Sequence, residues 1–199
     1  MKIKSLGLVM LFAACCLLTV TIKANDFAIG TVLEDFKLKD LSGAERSFNS
    51  LRGKNGTIIV FLSAQCPVVK AYNERINQLA ADYKAKGVNF VGIQPNTLTE
   101  SLDWMKSESE KAGYQFPVLV DNDFWLSDKL GATVTPEMYL FDADNKLIYH
   151  GAIDNDRSGR NVTEYYLRVA LDEKLGGKEI AKNRTKAFGC TIKRKDQAK

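Results

Sequence analysis

One segment of this chain joins a hydrophobic run to a Cys-Pro pair and then to a helical pattern. Residues 57–62 are TIIVFL, a β-branched and aromatic run with the length of a buried strand. Pro67 directly follows Cys66, and proline is favoured in the first turn of a helix. The next apolar residues recur at helical spacing, namely Tyr72, Ile76, Leu79, Ala80 and Tyr83. The segment therefore predicts a strand that turns into a helix at Cys66.

A cysteine at such a junction is expected to be reactive. Cys66 would occupy the helix N-cap, where unpaired amide groups and the positive end of the helix dipole favour thiolate over thiol and lower the thiol pKa. Lys70, one turn further on, adds a cation on the same face. The alternative interpretation is a buried structural cysteine, which is a common role for this residue type.

The first 24 residues have the pattern of a secretory signal. Lys2 and Lys4 precede an apolar stretch at residues 6–22, and Ala24 suits a cleavage site. This pattern predicts an exported protein, periplasmic or extracellular, that begins near Asn25. Two alternatives are an uncleaved membrane span and a lipoprotein anchored at Cys15. Cleavage is favoured because a lipidated Cys15 would leave much of the apolar stretch behind it.

The basic charge of the chain comes largely from that segment. Its removal takes away Lys2, Lys4 and Lys23 and no acidic residue, which lowers the formal net charge from +4 to +1. The remaining charges of both signs are mixed along the chain, a pattern that argues against a nucleic-acid partner. Contact with a membrane is expected only through an uncleaved signal or a lipid anchor.

Signal cleavage would leave two cysteines, Cys66 and Cys190. A single pair in an exported protein favours a disulfide between them. The bond could be a permanent staple for the C-terminal tail, or a reversible pair in which Cys66 attacks and Cys190 resolves. The chain has one histidine, His150, and no Cys-x-x-Cys motif, so neither a metal site nor another cofactor is expected.

The order of apolar patterns predicts an α/β domain at residues 25–175 and a polar tail at residues 176–199 that carries Cys190. Alternating strands and helices, followed by a terminal hairpin and helix, predict a central mixed sheet with helices on both faces. An N-terminal β-hairpin at residues 34–48 would extend it. The other expected strands are at residues 57–63, 88–93, 116–120, 137–142 and 146–151, and the helices at residues 67–86, 98–112, 124–130 and 162–175.

Residues 61–70, FLSAQCPVVK, resemble the active-site segment of the thioredoxin-like redoxins, including the alkyl hydroperoxide reductase and thiol-specific antioxidant group. Cys66 stands in the place of the nucleophilic first cysteine, and Val69 stands where the second would be. The resemblance therefore implies that any intramolecular resolution comes from Cys190. Thr135 and Pro136 resemble the family's proline turn, in which a cis peptide lies beside the cysteine.

Two longer stretches are similar to an exported bacterial subgroup of these redoxins, in which a Cys-Pro site and a C-terminal Gly-Cys motif occur together. They are residues 63–96 and the tail segment 188–194, FGCTIKR. The resemblance implies a thiol-disulfide oxidoreductase that acts on protein or small-molecule thiols and disulfides, with peroxides as an alternative substrate. It also implies a separate thiol reductant. The expected site comprises Cys66 and Cys190 with Ser63, Pro67, Lys70, Thr135 and Pro136 in support.

Ser63 raises the alternative of a thiol peroxidase, because peroxiredoxins also have a hydroxyl residue three positions before a cysteine that opens a helix. The match is partial. Ile59 stands where peroxiredoxins have a proline, and the strand after Pro136 offers no arginine to the thiolate. A third hypothesis is a binding module in which the two cysteines only staple the tail.

Overall fold

The computed structural model describes residues 27–195, so the predicted signal segment lies outside the described residues. In that range, no helix combines the length and the apolar character needed to cross a bilayer. The elements in chain order are β1 (Lys37–Asp40), β2 (Glu45–Ser47), α1 (Phe48–Leu51), β3 (Gly56–Phe61), α2 (Pro67–Lys84), β4 (Val88–Gln94), α3 (Leu102–Ala112), β5 (Val118–Val120), α4 (Trp125–Leu130), β6 (Val134–Thr135), β7 (Glu137–Phe141), β8 (Leu147–Gly151), α5 (Tyr166–Leu175) and β9 (Cys190–Thr191).

The described strands form a seven-stranded sheet in the order β2-β1-β5-β4-β3-β7-β8, and β6 and β9 form a separate pair. Strand β3 runs parallel to β4, and β4 runs parallel to β5. The hairpins β1-β2 and β7-β8 join the two sides of this parallel core in antiparallel fashion. The predicted mixed sheet and the N-terminal hairpin are therefore confirmed.

Successive residues of β3 point to opposite faces of the sheet, as the strand geometry requires. Ile58 and Val60 lie in one buried cluster with apolar residues of α2 and α5. Ile59 and Phe61 lie in a second cluster with residues of α1 and α4. Helices therefore cover both faces, as the sequence predicts.

Several elements begin or end at residues other than those expected. Helix α3 begins at Leu102 because the Ser101 hydroxyl caps it, accepting a hydrogen bond from Trp104 N at 3.2 Å. Helix α5 begins at Tyr166, and the backbone just before it donates hydrogen bonds from Thr163 N and Glu164 N to Asn155 Oδ1. The short elements α1, β6 and β9 were not predicted.

The polar tail is docked along the domain. Backbone hydrogen bonds at residues 183–185 join it to His150 on β8, and β9 pairs with β6. Ile192 is fully buried in the cluster that contains α4. Gly151 makes room for the tail, because a β-carbon there would lie 2.1 Å from the Thr185 hydroxyl oxygen. The tail thus brings Cys190 to the sheet from far along the chain.

Candidate active site

Cys66 lies between β3 and α2, as the sequence predicts. It is the N-cap of α2, and Pro67 follows in the first turn. Lys70 N donates a hydrogen bond to Cys66 O at 3.2 Å, which closes the first turn. The Cys66 side chain is fully buried. The local sequence therefore sets the position of this cysteine.

Cys66 and Cys190 form a disulfide. Their Cα atoms are 5.9 Å apart, although the two residues are separated by 124 positions in sequence. This Cα distance lies in the ordinary range for disulfides. Cys190 keeps partial exposure while Cys66 has none. The predicted pair is thus confirmed, whereas its redox behaviour remains a prediction.

The proline turn lies against the disulfide. The Thr135-Pro136 peptide is cis, as the resemblance implied. Cys66 Sγ is 3.2 Å from Thr135 O, so in the reduced protein a Cys66 thiol would face a hydrogen-bond acceptor. Thr135 also pairs with Cys190 in antiparallel register. Both cysteines and both residues of the proline turn therefore meet at one place.

A buried carboxylate just after Pro136 shapes this turn. Glu137 Oε2 accepts hydrogen bonds from Thr133 N at 2.8 Å and from Val134 N at 3.2 Å. Its other oxygen, Oε1, lies 2.6 Å from His150 Nε2. The imidazole of His150 stacks on Tyr139 with ring centroids 4.3 Å apart. Sequence reasoning missed Glu137, because one charged residue at a strand start carries no distinctive pattern.

A second buried carboxylate, Glu100, holds the loop between β3 and Cys66. Its oxygens accept hydrogen bonds from the Ser63 hydroxyl and, at 2.7 Å, from Ala64 N. Glu100 is only 3% exposed. The Ser63 hydroxyl therefore anchors the loop by donating to Glu100. Sequence reasoning also missed Glu100, because it assigned residue 100 to the helix expected at residues 98–112, whereas that helix begins at Leu102.

Asn96 connects the tail to the same loop. Its side-chain oxygen Oδ1 accepts a hydrogen bond from Lys193 N at 2.9 Å, and Nδ2 donates to Glu100 Oε1 at 3.2 Å. Asn96 is buried. Buried polar networks of this kind hold one specific arrangement when all their members are paired. The contact gives the docked tail a direct link to the residues before Cys66.

Two cations of α2 have partners other than Cys66; one of them, Lys70, is the cation that the sequence placed near it. Lys70 Nζ lies 2.8 Å from Glu108 Oε2, and its side chain is about half exposed. Hydrogen bonds from Lys111 and Lys70 lower the pKa of Glu108 to about 2. Arg75 pairs with Asp154 and covers the ring of Tyr72 at 3.7 Å. Neither cation therefore depends on a cysteine for its ion pair.

The rest of the site follows from these placements. Ser63, Pro67 and Thr135 flank Cys66 as expected, but Ser63 and Lys70 are engaged by Glu100 and Glu108. Over residues 27–195, no three His, Cys, Asp or Glu side chains converge as a metal site would require. The chemistry that this arrangement can perform is thiol-disulfide exchange at Cys66 and Cys190.

Known proteins share both this fold and parts of the sequence. The sequence profile of the AhpC/TSA family matches residues 29–150. The thiol-disulfide oxidoreductase ResA of Geobacillus thermodenitrificans is 28% identical over 149 residues, which cover 70% of this chain and 80% of ResA. The crystal structure of an uncharacterized conserved protein from Geobacillus kaustophilus is 34% identical, with a TM-score of 0.79, and the match covers 86% of this chain and 94% of that one.

A secreted Mycobacterium tuberculosis disulfide oxidoreductase, homologous to E. coli DsbE, shares the fold with a TM-score of 0.53 at 22% identity; the match covers 71% of this chain and 95% of that one. The family profile spans more than half of the chain, from the N-terminal hairpin through the Cys66 junction and the proline turn to β8. On this match, and with the thioredoxin-like sheet around Cys66, the chain belongs to the AhpC/TSA family of redoxins.

Proposed function

We propose that the protein is an exported thiol-disulfide oxidoreductase with Cys66 as nucleophile and Cys190 as resolving cysteine. Membership of the redoxin family, together with relatives named thiol-disulfide oxidoreductases, indicates oxidoreductase activity. The observation that carries the proposal is the disulfide between Cys66, at a helix N-cap, and Cys190, in a tail that is remote in sequence.

The reaction begins with the reduced protein. The Cys66 thiolate attacks one sulfur of a substrate disulfide, so a mixed disulfide forms and the other substrate sulfur leaves as a thiolate that takes up a proton. The Cys190 thiolate then attacks Cys66 Sγ, forms the intramolecular disulfide and releases the second substrate thiol. The substrate gains two electrons and two protons, and the protein dithiol is oxidised.

A separate thiol reductant must reopen the disulfide for another cycle. Cys190 is the partly exposed cysteine of the pair, whereas Cys66 is fully buried. Substrate access to Cys66 therefore requires the tail to move away from the proline turn. Protein and small-molecule thiols or disulfides are both compatible with this requirement.

Peroxidase chemistry is the second candidate, because the AhpC/TSA family match supports it. The side chains described here favour disulfide exchange over it. The Ser63 hydroxyl donates to Glu100, and Arg75 pairs with Asp154. We therefore expect the reduced protein to react with hydrogen peroxide at a rate close to that of a free thiol.

A redox titration with thiol trapping tests the exchange function. The wild-type protein should show one labile dithiol-disulfide couple, and Cys190→Ser should accumulate a mixed disulfide on Cys66 when given a disulfide substrate. Cys66→Ser serves as the matched control and should form no mixed disulfide at that site. A disulfide that resists millimolar thiol in the folded protein would support the binding module, whereas rapid peroxide-dependent sulfenylation would support the peroxidase.

Export forms part of the proposal and has its own test. It rests on the signal pattern of residues 1–24 and on the tendency of protein disulfides to persist in oxidising compartments. Expression in a bacterial host followed by fractionation and N-terminal sequencing should find a periplasmic or secreted chain that begins near Asn25. A lipid-modified N-terminus at Cys15, or an uncleaved chain in the membrane, would replace this assignment.

A further inference from the structure

The residue before Cys190, Gly189, is exposed, but the space that a β-carbon would occupy is already filled. In the pairing of β9 with β6, Cys190 lies opposite Thr135. A β-carbon at Gly189 would lie 2.0 Å from Thr135 O and 2.6 Å from Thr135 C. Real β-carbons do not approach other atoms this closely. When β9 is docked in this register, the α-carbon of residue 189 therefore cannot carry a β-carbon.

Steric contact alone imposes this restriction. The φ of Gly189 lies outside the left-handed region, so its φ does not by itself require glycine. The obstructing atoms belong to the main chain of Thr135, a fully buried residue. They cannot rotate away as the end of a flexible side chain could. The neighbouring backbone is held as well, since Val134 N donates to Glu137.

We propose that the Cys66 site selects substrates according to the group that acylates the nitrogen of their cysteine. The carbon next to the carbonyl of that group must be an unbranched methylene. The inference rests on the proposed exchange function, because a substrate cysteine joined to Cys66 would take the place of Cys190 beside Thr135. A Gly-Cys sequence in a polypeptide has this chemistry. A γ-glutamyl-cysteine unit meets the same requirement, since the carbon next to its linking carbonyl is the γ-methylene of the glutamyl group. An α-linked residue other than glycine carries a β-carbon there and meets Thr135 O.

The test measures exchange at Cys66 in the full-length Cys190→Ser protein. Cys66 is first converted to a mixed disulfide with 5-thio-2-nitrobenzoate. A peptide thiolate then attacks Cys66 Sγ, which forms the Cys66-peptide disulfide and releases 5-thio-2-nitrobenzoate as a coloured thiolate. Each rate is divided by the rate of the same peptide with a free cysteine-thionitrobenzoate disulfide, so that differences in thiol reactivity cancel.

Two matched pairs of thiols separate the possible sources. The first pair is acetyl-Gly-Cys-Thr-amide and acetyl-Ala-Cys-Thr-amide. The second pair is γ-Glu-Cys-Gly and its α-linked isomer, which have the same atoms and charges. We expect a preference of at least tenfold for the unbranched member. A preference in the first pair identifies polypeptides as a source, and one in the second pair identifies small γ-glutamyl thiols. Normalised rates within twofold in both pairs would overturn the inference.

A control peptide and the pattern of results distinguish failure of the selectivity from failure of the proposed function. Acetyl-Gly-Cys-Ala-amide should react like its threonine counterpart, because Thr191 is exposed. If Cys66 exchanges with none of the thiols, the proposed function itself fails and the inference fails with it. Exchange with all of them at equal normalised rates leaves the function intact and rejects only the selectivity.

The chain itself offers an independent measurement. Gly189→Ala should lower the effective concentration of Cys190 at Cys66 by tenfold or more, measured as the equilibrium between the protein disulfide and dithiothreitol. Circular dichroism would verify that the variant is folded. An effective concentration equal to that of the wild type would show that the β-carbon is accommodated, and would overturn the inference.

Discussion

Cys66 lies between a six-residue strand and an 18-residue helix, whereas Cys190 belongs to a two-residue strand in a polar tail. Strand β3 has neighbours on both sides in the sheet and contributes to both buried clusters, and α2 contributes to one of them. Cys190 is held by a few separate contacts, among them the hydrogen bonds of Thr185 and the burial of Ile192. One half of the redox pair is thus part of the core, and the other half is attached to it.

This difference suits an exchange cycle. A nucleophile needs a constant environment, which a strand-to-helix junction provides. A resolving cysteine must leave and return, and segments with few buried contacts open at a lower free-energy cost than core elements do. The following predictions test whether the tail and the core behave as two units in this sense.

The largest effect should come from the disulfide itself. Because it closes a loop across a sequence separation of 124 residues, its reduction should lower the free energy of unfolding by about 3–5 kcal/mol. Urea unfolding of the oxidised and reduced protein measures this difference, with Cys190→Ser as a control that should match the reduced form. A loss below about 1 kcal/mol would mean that the cross-link hardly restrains the unfolded chain.

Substitution of one buried isoleucine in each region should separate tail from core. Ile76 on α2 and Ile192 in the tail are both fully buried. Ile76→Ala should lower the free energy of unfolding by about 2–5 kcal/mol in both redox states. In the reduced protein, Ile192→Ala should lower it by less than Ile76→Ala does, because the loss cannot exceed the free energy of tail docking. Equal costs in the reduced protein would show that the tail unfolds together with the core.

A smaller effect is expected at the link between the two regions. Glu100→Gln replaces a carboxylate oxygen with an amide that cannot accept all of the hydrogen bonds from Ser63, Ala64 and Asn96. We expect a loss of about 1–3 kcal/mol in stability and an altered rate of alkylation at reduced Cys66. The exposed Glu110→Gln substitution on α3 is the matched control and should change neither quantity.

The smallest effect should come from a surface ion pair on the tail. Lys182 donates to Glu164 at 2.8 Å, and this hydrogen bond lowers the pKa of Glu164. The pKa of Glu164 in the folded protein lies below its ordinary value. The pair therefore contributes its full stabilisation at pH values above the ordinary pKa and loses it as the pH falls through the lowered pKa.

Exposed pairs contribute little, so Lys182→Ala should change the effective concentration of Cys190 less than twofold at neutral pH. The substitution should also remove the part of the decrease in this effective concentration at acidic pH that comes from protonation of Glu164. A dithiothreitol equilibrium measured at several pH values checks both points, with Lys178→Ala as a control. A tenfold loss at neutral pH would show that surface charge, rather than burial, holds the tail.

Much of the fold follows from local patterns that sequence alone displays. The β-branched and aromatic run at residues 57–62 predicts β3 as a buried strand, and Pro67 predicts the start of α2. The turn signals at residues 41–43, with Gly43, and at residues 142–145, with Asn145, predict the two hairpins. These features depend on residues a few positions apart, whose steric and hydrogen-bonding preferences act in nearly the same way in any surrounding. The cysteine count added the expectation of a Cys66-Cys190 pair, and the resemblance to the redoxins added a cis peptide at Pro136 and a resolving role for Cys190.

The supporting residues of the site could not be predicted in this way. Glu100 reaches the loop before Cys66 from 36 positions away, and Glu137 is held by His150 on the next strand. Lys70 was expected to face Cys66 but pairs with Glu108 on α3. Side chains of these types have many potential partners, and the packing of helices and strands decides which one lies in reach.

The sequence by itself determined that a strand, a cysteine and a helix follow one another at residues 56–84, because short-range periodicity and capping suffice for that arrangement. Only the tertiary structure decided that Cys190 lies opposite Thr135, that Gly189 has no room for a side chain and that Asn96 and Glu100 together join the tail to the loop. These contacts depend on the path of the whole chain, since loop closure brings distant residues together only when the elements between them have packed.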